Sequence, residues 1–423
     1  MNHMTEKNYP YAISFSHASK IIQQQVCNQV LKTETIEIDQ ALHRILASNL
    51  QSPIQVPTFD CSRMDGYAIK FDVYSDHQDG KFKITEPQFA GEGLAKINDL
   101  KSGLFAVPVM TGALLPEVTD TVVMKEHVIC DGETIQFSQP VKKAQHVRKT
   151  GSDIKQGQIL LKTSHKITAA DLGLLSSVGL HQLAVYKKPK VALIMTGNEL
   201  VKAGQITPEM LSAGQVYDSI SFMLMGLLQQ MGCEVSLLPV LQDDITEVTQ
   251  RFNTLSQQSY DLVVTAGGVS MGDRDLLPKV FASTGTVLFH KCLIKPGFPL
   301  LFGKLGEALY FGLPGNPVSA FVTCFEFIYP VLLGLFKAEN QSLLCWRAEI
   351  LQDLVKPHMK REFVRGFYTV NAKGGLEVMV CGDQQSSRVK SLSEANCLIV
   401  MNESQLEFKR GQIVVIQPFN QLF

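Results

Sequence analysis

The sequence predicts a multidomain fold of the α/β and β class: a doubly wound, three-layer α/β domain, a discontinuous helical and mixed domain, a β-rich insert and a small C-terminal β domain. Three observations support this prediction. Strand-like and helix-like segments alternate after residue 190, short β-type runs separated by glycine and proline precede residue 145, and helical signals fade after about residue 335. A chain of 423 residues is long enough for about two to four domains.

The predicted domain boundaries follow these changes of pattern. A helical pattern runs from Ser14 to Leu50 with Ser16 as its N-cap, and another runs from Thr168 to Val178. Because these two blocks flank the insert, we predict one domain interrupted by another. The predicted domains are 14–52 with 146–187 (discontinuous helical and mixed), 53–145 (β-rich insert), 188–335 (α/β) and 336–423 (C-terminal, β-barrel-like).

The α/β domain is predicted from the apolar strands Val191–Met195, Val235–Val240 and Leu262–Thr265, which alternate with helical patterns. Glycine-rich turns follow these strands, and parallel sheets bind ligands at the carboxyl ends of their strands. The most apolar long stretch, Pro317–Phe336, is interrupted by Glu326 and Pro330, so it is predicted to be a buried helix and not a membrane span.

Composition excludes several classes of function. The formal net charge is -1, from 39 basic and 40 acidic residues, so no global attraction to nucleic acid or to an anionic membrane is expected. Nine cysteines without a C-x-x-C pair argue against a zinc ribbon or a disulfide framework, and they are predicted to be buried thiols in a reducing compartment. The first residues do not resemble a signal peptide, and the histidines lack zinc spacing.

Two clusters follow predicted strands. In Thr196-Gly197-Asn198-Glu199, the glycine would let a ligand approach the backbone beside a carboxylate, although an ordinary helix cap explains the same residues. The run from Thr265 to Asp275 holds three glycines, whose N–H groups would form a phosphate-binding nest, and its aspartates Asp273 and Asp275 would suit Mg²⁺. A flexible turn with solvated charges is the alternative. The run is not a Walker A motif.

Three further clusters are ambiguous on their own. Lys295 lies beside prolines that would hold it as an anion ligand, although a solvated surface lysine fits as well. The run from Gly312 to Ser319 is explained by Asn316 as a helix cap, while the same helix start could bind an anion. In Phe59–Ala68, two aspartates surround a serine and an arginine, and an Asx turn would explain Asp65 without a ligand.

Taken together and in order, these segments resemble the molybdopterin molybdenumtransferase family, the MoeA type that includes the E domain of gephyrin. Each motif is weak singly, and the ordered set is specific. The segments that carry the resemblance are Phe59–Ala68, Met110–Ala113, Val147–Ile154, Thr196–Leu200, Gly214–Asp218, Gly267–Asp275, Lys295–Pro299, Leu313–Ser319, Arg365-Gly366 and Ser386–Asn396.

The resemblance implies a cytoplasmic enzyme that inserts molybdenum from molybdate into adenylylated molybdopterin, with Mg²⁺ as cofactor and release of AMP. It implies an elongated homodimer of four-domain subunits, with the active cleft between the α/β domain of one subunit and the β-rich insert of the other. It allows the upstream molybdopterin adenylyltransferase as a partner. Neither nucleic acid nor a membrane is expected to bind.

The resemblance also implies roles for individual residues. Acidic residues suited to the cation and the pyrophosphate are Glu199, Asp244 and Asp275. Catalytic residues presented from the other side of the cleft are Asp60, Thr111 and Asp153. Substrate-binding residues are Thr196, Gly197, Asp218, Gly267, Gly268, Ser270, Pro314, Gly315 and Asn316. The molybdate pocket comprises Lys295, Ser319, Arg365 and Ser387, since a dianion calls for cations and hydroxyl donors.

The chain departs from the family pattern at several positions. Asn198 stands where many relatives have aspartate, Ile220 where many have asparagine, and Phe298 where bacterial relatives often have lysine; Pro108-Val109 stands where an arginine is frequent. These departures keep open a second hypothesis, a catalytically impaired pterin-binding scaffold of the same fold. A third, a pterin-binding adenylyltransferase, fits poorly because those proteins are usually single domains.

Overall fold

The computed structural model describes residues 9–27, 29–93, 103–270, 276–339 and 341–422. Its helices are α1 (Phe15–Val26), α2 (Phe71–Asp76), α3 (Ala169–Ser177), α4 (Ile220–Gln230), α5 (Ile245–Ser256), α6 (Leu277–Thr284), α7 (Pro317–Thr323), α8 (Tyr329–Leu335) and α9 (Val389–Ser393). Its strands are β1 (Tyr11–Ile13), β2 (Thr33–Glu37), β3 (Leu50–Gln51), β4 (Cys61–Ser62), β5 (Gly66–Ile69), β6 (Phe82–Ile84), β7 (Phe105–Val109), β8 (Thr121–Met124), β9 (Val128–Asp131), β10 (Thr134–Phe137), β11 (Val147–Arg148), β12 (Ile159–Leu161), β13 (Gln182–Tyr186), β14 (Lys190–Met195), β15 (Leu200–Val201), β16 (Val216–Tyr217), β17 (Glu234–Leu237), β18 (Leu262–Ala266), β19 (Thr286–Cys292), β20 (Ile294–Lys295), β21 (Leu301–Leu305), β22 (Ala308–Leu313), β23 (Trp346–Ile350), β24 (Leu354–Val355), β25 (Arg361–Val370), β26 (Leu376–Val380), β27 (Cys397–Met401), β28 (Glu407–Phe408) and β29 (Ile413–Pro418).

The described chain divides into two compact units. The first holds the residues up to Glu34, residues 43–45 and everything from Val185 onward, and the second holds 35–42 and 46–184. Helix α1 belongs to the first unit, where Phe15 lies 5.3 Å from Phe327, ring to ring, and α1 packs on α8. The segment 14–52, predicted as one part of a discontinuous domain, is therefore shared between the two units.

The helix predicted from Ser14 to Leu50 is wrong beyond Val26. Helix α1 is capped by Ser14, whose Oγ accepts a hydrogen bond from the N–H of His17, and not by Ser16. After α1 the chain forms β2, in which exposed and half-buried residues alternate. A strand of five residues shows too few repeats for its period of two to stand out against the preceding helical pattern.

The first unit contains a seven-stranded sheet in the order β1-β19-β21-β22-β18-β14-β17. Strands β14, β18 and β22 are parallel neighbours, which brings their carboxyl ends to one edge of the sheet. Strand β21 runs antiparallel between β19 and β22. Helices α5 and α6 pack together over buried residues such as Ile194 and Val263, while α4 packs with α7. The predicted three-layer α/β domain is thereby confirmed.

The C-terminal strands of the first unit form a barrel-like sheet in the order β20-β25-β26-β23-β29-β27. The sheet closes because β27 pairs with β25 as well as with β29. Its core includes Ile350, Val378, Ile399 and Ile416, all fully buried. The sequence predicted this β domain correctly.

The second unit is β-rich, as predicted for the insert. Its six-stranded sheet has the order β8-β5-β7-β6-β10-β9, and short two-stranded ladders join β4 to β11 and β3 to β12. Helix α3 follows these ladders. It begins with a capping box in which Thr168 and Asp171 satisfy each other's backbone N–H groups.

Helices α7 and α8 are joined through Cys324–Ile328, a π-helical segment in which the N–H of Tyr329 donates to the carbonyl of Cys324. Within the described residues, Pro317–Leu335 is the one helix long and apolar enough to cross a membrane, and most of it is buried inside the protein. All nine cysteines are free; Cys27, Cys130 and Cys345 are exposed, so the prediction of buried thiols holds for the other six.

Candidate active site

Three turns that follow β14, β18 and β22 meet around a cavity of about 330 Å³ in the first unit. The parallel order of these strands explains why segments far apart in sequence converge there. The cavity is lined by Met195, Thr196, Gly197, Glu199, Leu200, Ile220, Asp243, Ala266, Gly267, Gly268, Val269, Ser270, Pro299, Pro314, Gly315 and Asn316. Eight of the nine predicted substrate-binding residues are therefore brought together, Asp218 being the exception.

Glycine is required where these turns touch. Gly267 has a φ of +101°, and a Cβ there would lie 2.6 Å from both the carbonyl oxygen and Oγ1 of Thr196. A Cβ on Gly315 would lie 3.3 Å from the Cα of Gly267. The backbones of the three turns thus approach more closely than side chains would allow, which leaves main-chain groups to form much of the cavity wall.

The Thr196 hydroxyl is buried in this wall and has no hydrogen-bond partner among the described residues. Buried polar groups are nearly always hydrogen-bonded, so an unsatisfied one at a cavity indicates a site for a polar ligand. The carboxylate of Glu199 lies beside Gly197, since a Cβ on that glycine would be 2.7 Å from each Glu199 oxygen. The cavity therefore offers both an unsatisfied hydroxyl and a negative charge.

The predicted phosphate nest is only partly available. The N–H of Gly267 already donates to the carbonyl of Leu313 at 3.1 Å. The N–H groups from Gly268 to Ser270 have no backbone partner among the described residues and lie at the cavity. An anion would therefore be held by this second part of the turn.

Two predicted acidic ligands act as helix caps. Asp218 accepts hydrogen bonds from the N–H groups of Ile220 at 2.9 Å and Ser221 at 3.0 Å, at the start of α4. Asp244 caps α5 by accepting from the N–H of Glu247 at 2.8 Å. Neither lines the cavity, whereas the neighbouring Asp243 does. The ligand roles assigned to Asp218 and Asp244 stay predictions.

Asp275, with the rest of 271–275, lies outside the described residues. In the part of the chain that the structure describes, no group of three or more histidine, cysteine or acidic residues is arranged to hold a metal ion. The carboxylates that line the cavity are those of Glu199 and Asp243.

None of the four residues predicted for the molybdate pocket is among the described residues that line this cavity. Lys295 Nζ pairs with Glu362 Oε1 at 2.9 Å, where β20 runs beside β25. Ser319 is buried in the first turn of α7. Ser387 is exposed, and it is the carbonyl of its neighbour Ser386 that accepts from the N–H of Val318 at 3.1 Å.

Arg365 is fully buried on β25. Its guanidinium donates to the carbonyl oxygens of Asp383 at 2.7 Å and Gln385 at 3.2 Å, while its Nε has no partner among the described residues. Burial lowers the pKa of this guanidinium below its usual value. A buried cation whose partners among the described residues are neutral carbonyls is well suited to an anionic ligand.

The residues predicted to face the cleft from the other side lie in the second unit, each with a local partner. Asp60 accepts from Lys149 Nζ at 2.7 Å and from the N–H of Thr150 at 2.8 Å. Burial alone would raise the pKa of Asp60, but these hydrogen bonds lower it overall. The hydroxyl and N–H of Thr111 donate to Asp65. This pairing gives Asp65 a structural role that differs from the Asx turn considered from the sequence.

The third of these residues, Asp153, has a long ion pair of 3.6 Å with Arg148. The catalytic roles of Asp60, Thr111 and Asp153 stay predictions.

Comparison with known proteins places these features in a family. Residues 13–179 match the MoeA N-terminal region (domain I and II), 192–334 match a probable molybdopterin binding domain, and 347–419 match the MoeA C-terminal region (domain IV). The chain belongs to the MoeA family. It is accordingly a transferase with a role in molybdenum cofactor biosynthesis.

Individual relatives agree with the MoeA assignment over nearly the whole chain. Molybdopterin molybdenumtransferase of Haemophilus influenzae is 38% identical, with 92% of this chain and 95% of that protein covered. Gephyrin of Dictyostelium discoideum is 32% identical over 95% of this chain and 62% of its own length. The crystal structure of molybdopterin biosynthesis moeA protein from Pyrococcus horikoshii OT3 has a TM-score of 0.81 at 26% identity, covering 96% of this chain and 100% of that one.

Three departures from the MoeA pattern, at Asn198, Ile220 and Phe298, lie at or next to residues that line the cavity, whereas Pro108 and Val109 lie on β7 in the second unit. Asn198 Oδ1 accepts from the N–H of Asp243 at 3.1 Å, so it orients a cavity residue. Ile220 lines the cavity directly. The ring of Phe298 lies beneath two ammonium groups, 4.2 Å from Lys360 Nζ and 5.2 Å from Lys291 Nζ. Positive charge thus remains around position 298 although lysine is absent there.

Sequence reasoning missed His290, which supports the glycine turn from behind. It is buried on β19, and its Nε2 lies 3.0 Å from the carbonyl oxygen of Val269. Since a carbonyl can only accept, Nε2 carries the proton of this bond. The sequence shows that His290 lies two residues before Cys292 in a strand-like run. That position does not indicate a partner in the glycine turn.

We expect His290→Leu to raise the KM for the pterin substrate by about tenfold, because an unsatisfied Val269 carbonyl costs about 1–3 kcal/mol and releases the turn. His290→Gln keeps a hydrogen-bond donor of similar reach, so its KM should stay close to that of the wild type. Steady-state kinetics would separate KM from kcat. Equal loss in both variants, or a change in melting temperature alone, would contradict a positioning role.

Proposed function

We propose that this MoeA-family protein inserts molybdenum from molybdate into adenylylated molybdopterin in the cytoplasm, releasing AMP and forming molybdenum cofactor. The observation that carries the proposal is the strand-end cavity, where the Glu199 carboxylate meets the Thr196 hydroxyl, which has no partner among the described residues, and the turn N–H groups, which have no backbone partner there. Hydroxyl and N–H donors suit the phosphate and pterin of such a substrate. Holding the substrate beside molybdate would make the exchange of oxo for sulfur effectively intramolecular.

We also propose Mg²⁺ as the cofactor. Mg²⁺ is usually bound through one or two carboxylates together with substrate phosphate, and Glu199 and Asp243 at the cavity fit that donor set. Asp244 and Asp275 remain the further ligands predicted from the family resemblance. When bound, the ion would neutralise negative charge on the phosphate. The protein's own part is to fix the phosphate through the Gly268–Ser270 N–H groups and the Thr196 hydroxyl.

Molybdate is proposed to bind near Arg365. The buried guanidinium, whose Nε has no partner in the described part of the chain, supports this, because a guanidinium binds tetrahedral oxyanions through its planar set of donors. Lys295 and Ser319 are the other donors proposed, with Ser387 on the loop next to α7. Lys295 would have to exchange Glu362 for the anion, which its half-exposed side chain allows.

A homodimer is proposed from the family resemblance, with Asp60, Thr111 and Asp153 completing the cleft of the other subunit. The adenylyltransferase that makes the substrate is proposed as a partner. Sedimentation of the purified chain tests the first point. A monomer at micromolar concentration would contradict it.

The decisive experiment is a turnover assay with adenylylated molybdopterin, molybdate and Mg²⁺. We expect AMP release that depends on molybdate, yields active cofactor and collapses in Glu199→Ala and Asp275→Ala. Tight pterin binding without AMP release would contradict the proposal and favour the impaired scaffold. In that case Asn198, Ile220 and Phe298 are the positions to revert to the usual family residues.

A further inference from the structure

A second cavity, of about 490 Å³, lies between α1, α8 and the C-terminal barrel of the first unit. It shares no lining residue with the strand-end cavity. Much of its wall is apolar, including Ile22 and Val26 from α1, Phe327 and Val331 from the long helix, and Phe363 from β25. Its volume falls within the range of about 300–1,000 Å³ that is usual for small-molecule sites.

Three of the polar side chains in this wall each keep a buried atom without a partner among the described residues. These atoms are Glu326 Oε1, Gln417 Oε1 and Arg361 Nε. Glu326 is 3% exposed and Gln417 is 7% exposed. The one hydrogen bond that joins them, from Gln417 Nε2 to Glu326 Oε2, is long at 3.4 Å. An unsatisfied buried polar atom is costly, and three along one cavity indicate a ligand's polar head.

The backbone beneath Glu326 is also unusual. Glu326 is the middle residue of the π-helical segment Cys324–Ile328, which separates α7 from α8. A single π-helical turn departs from regular α-helical geometry, and such turns occur frequently at functional sites. The irregular turn and the unsatisfied carboxyl group therefore coincide at one point of the cavity wall.

We propose that this cavity binds a small uncharged molecule with a carboxamide-type head and an aromatic or branched apolar body. Gln417 Oε1 can only accept, so it requires an N–H or O–H from the ligand, whereas Arg361 Nε requires an acceptor such as a carbonyl. A carboxamide carries both. The carboxyl group of Glu326 can exchange two hydrogen bonds with an amide. The body of the ligand packs against the apolar wall.

The charges around the cavity favour a neutral ligand over an amine. Burial raises the pKa of Glu326 to about 8, so this group is largely an uncharged acid at neutral pH and offers little to a cation. The guanidinium of Arg361 lines the same cavity, held 4.5 Å from the ring centroid of Phe15, and would repel an ammonium group. An anionic ligand is disfavoured because it would have to move from water to a cavity whose wall is mostly apolar, which is costly for a charge.

The test uses 4-bromobenzamide with the full chain. Calorimetry gives its affinity, and anomalous scattering from bromine in soaked crystals gives its position. We expect bromine in this cavity, and affinity at least about tenfold weaker for 4-bromotoluene, which lacks the head and leaves the polar atoms unpaired. Glu326→Leu should weaken benzamide binding by at least about tenfold, and Glu326→Gln, which keeps an amide in place, by no more than about threefold. Ile22→Trp should abolish binding by filling the cavity.

Glu307→Gln is the matched control, since Glu307 is exposed in the turn between β21 and β22 and does not line the cavity. The proposal is overturned if bromine lies elsewhere, if no binding is found up to the solubility limit, or if the two probes bind equally well. Unchanged affinity in Glu326→Leu would overturn it too. Each outcome is independent of the turnover assay, so failure here is distinguishable from failure of the proposed function.

Discussion

Replacing Glu199 with glutamine should lower turnover by about 10²- to 10³-fold, the range expected when one preorganised charge-stabilising group is lost. The carboxylate lies at the strand-end cavity beside Gly197, where it can hold a cation against the substrate phosphate. Glutamine has the same shape and keeps a carbonyl oxygen, but it removes the charge. The activity that remains should also require more Mg²⁺ than the wild-type enzyme.

The measurement is AMP release as a function of Mg²⁺ concentration, beside a thermal melt of each protein. Glu307→Gln makes the same chemical change in the exposed turn at the opposite end of β22 from the cavity, and it should match the wild type. If Glu199→Gln melts normally and turns over within about threefold of the wild type, Glu199 is not a cation ligand.

The convergence of the strand-end turns could be predicted from sequence because it follows from topology. Once β14, β18 and β22 are recognised as buried strands of a parallel sheet, the segments after them must meet at one edge. Gly267 was predicted as part of a phosphate-binding nest, and the structure shows in addition that its backbone lies against Thr196.

The distinction between a ligand and a cap could not be predicted. An aspartate before a helix satisfies backbone N–H groups or binds a cation with the same carboxylate, and the spacing is identical in both cases. Asp218 and Asp244 cap α4 and α5, while Asp243, one position away, faces the cavity. His290 was missed for a related reason, because its partner is a main-chain carbonyl that has no signature in sequence.

Glu326 should make the first unit lose stability as pH rises, and Glu326→Gln should remove that loss. Burial raises the pKa of Glu326 from 4.5 to about 8. Between these values the folded protein holds a proton that the unfolded chain has released, so the contribution is complete below about pH 4.5 and disappears as pH rises through about 8. From the size of the shift, the change in the free energy of unfolding is at most about 5 kcal/mol.

The single tryptophan allows the stability of the first unit to be measured. Trp346 lies in the barrel of the same unit, packed 5.6 Å from the ring of Tyr368, so its fluorescence reports unfolding there. Denaturant midpoints at about pH 5 and about pH 8.5 should diverge between the wild type and Glu326→Gln, with the variant relatively more stable at the higher pH. Parallel pH profiles would mean that Glu326 is ionised in the folded protein. A buried carboxylate demands a positive partner, and Arg361 in the same cavity wall would then fill that role, which would overturn the uncharged carboxamide as the ligand's head group.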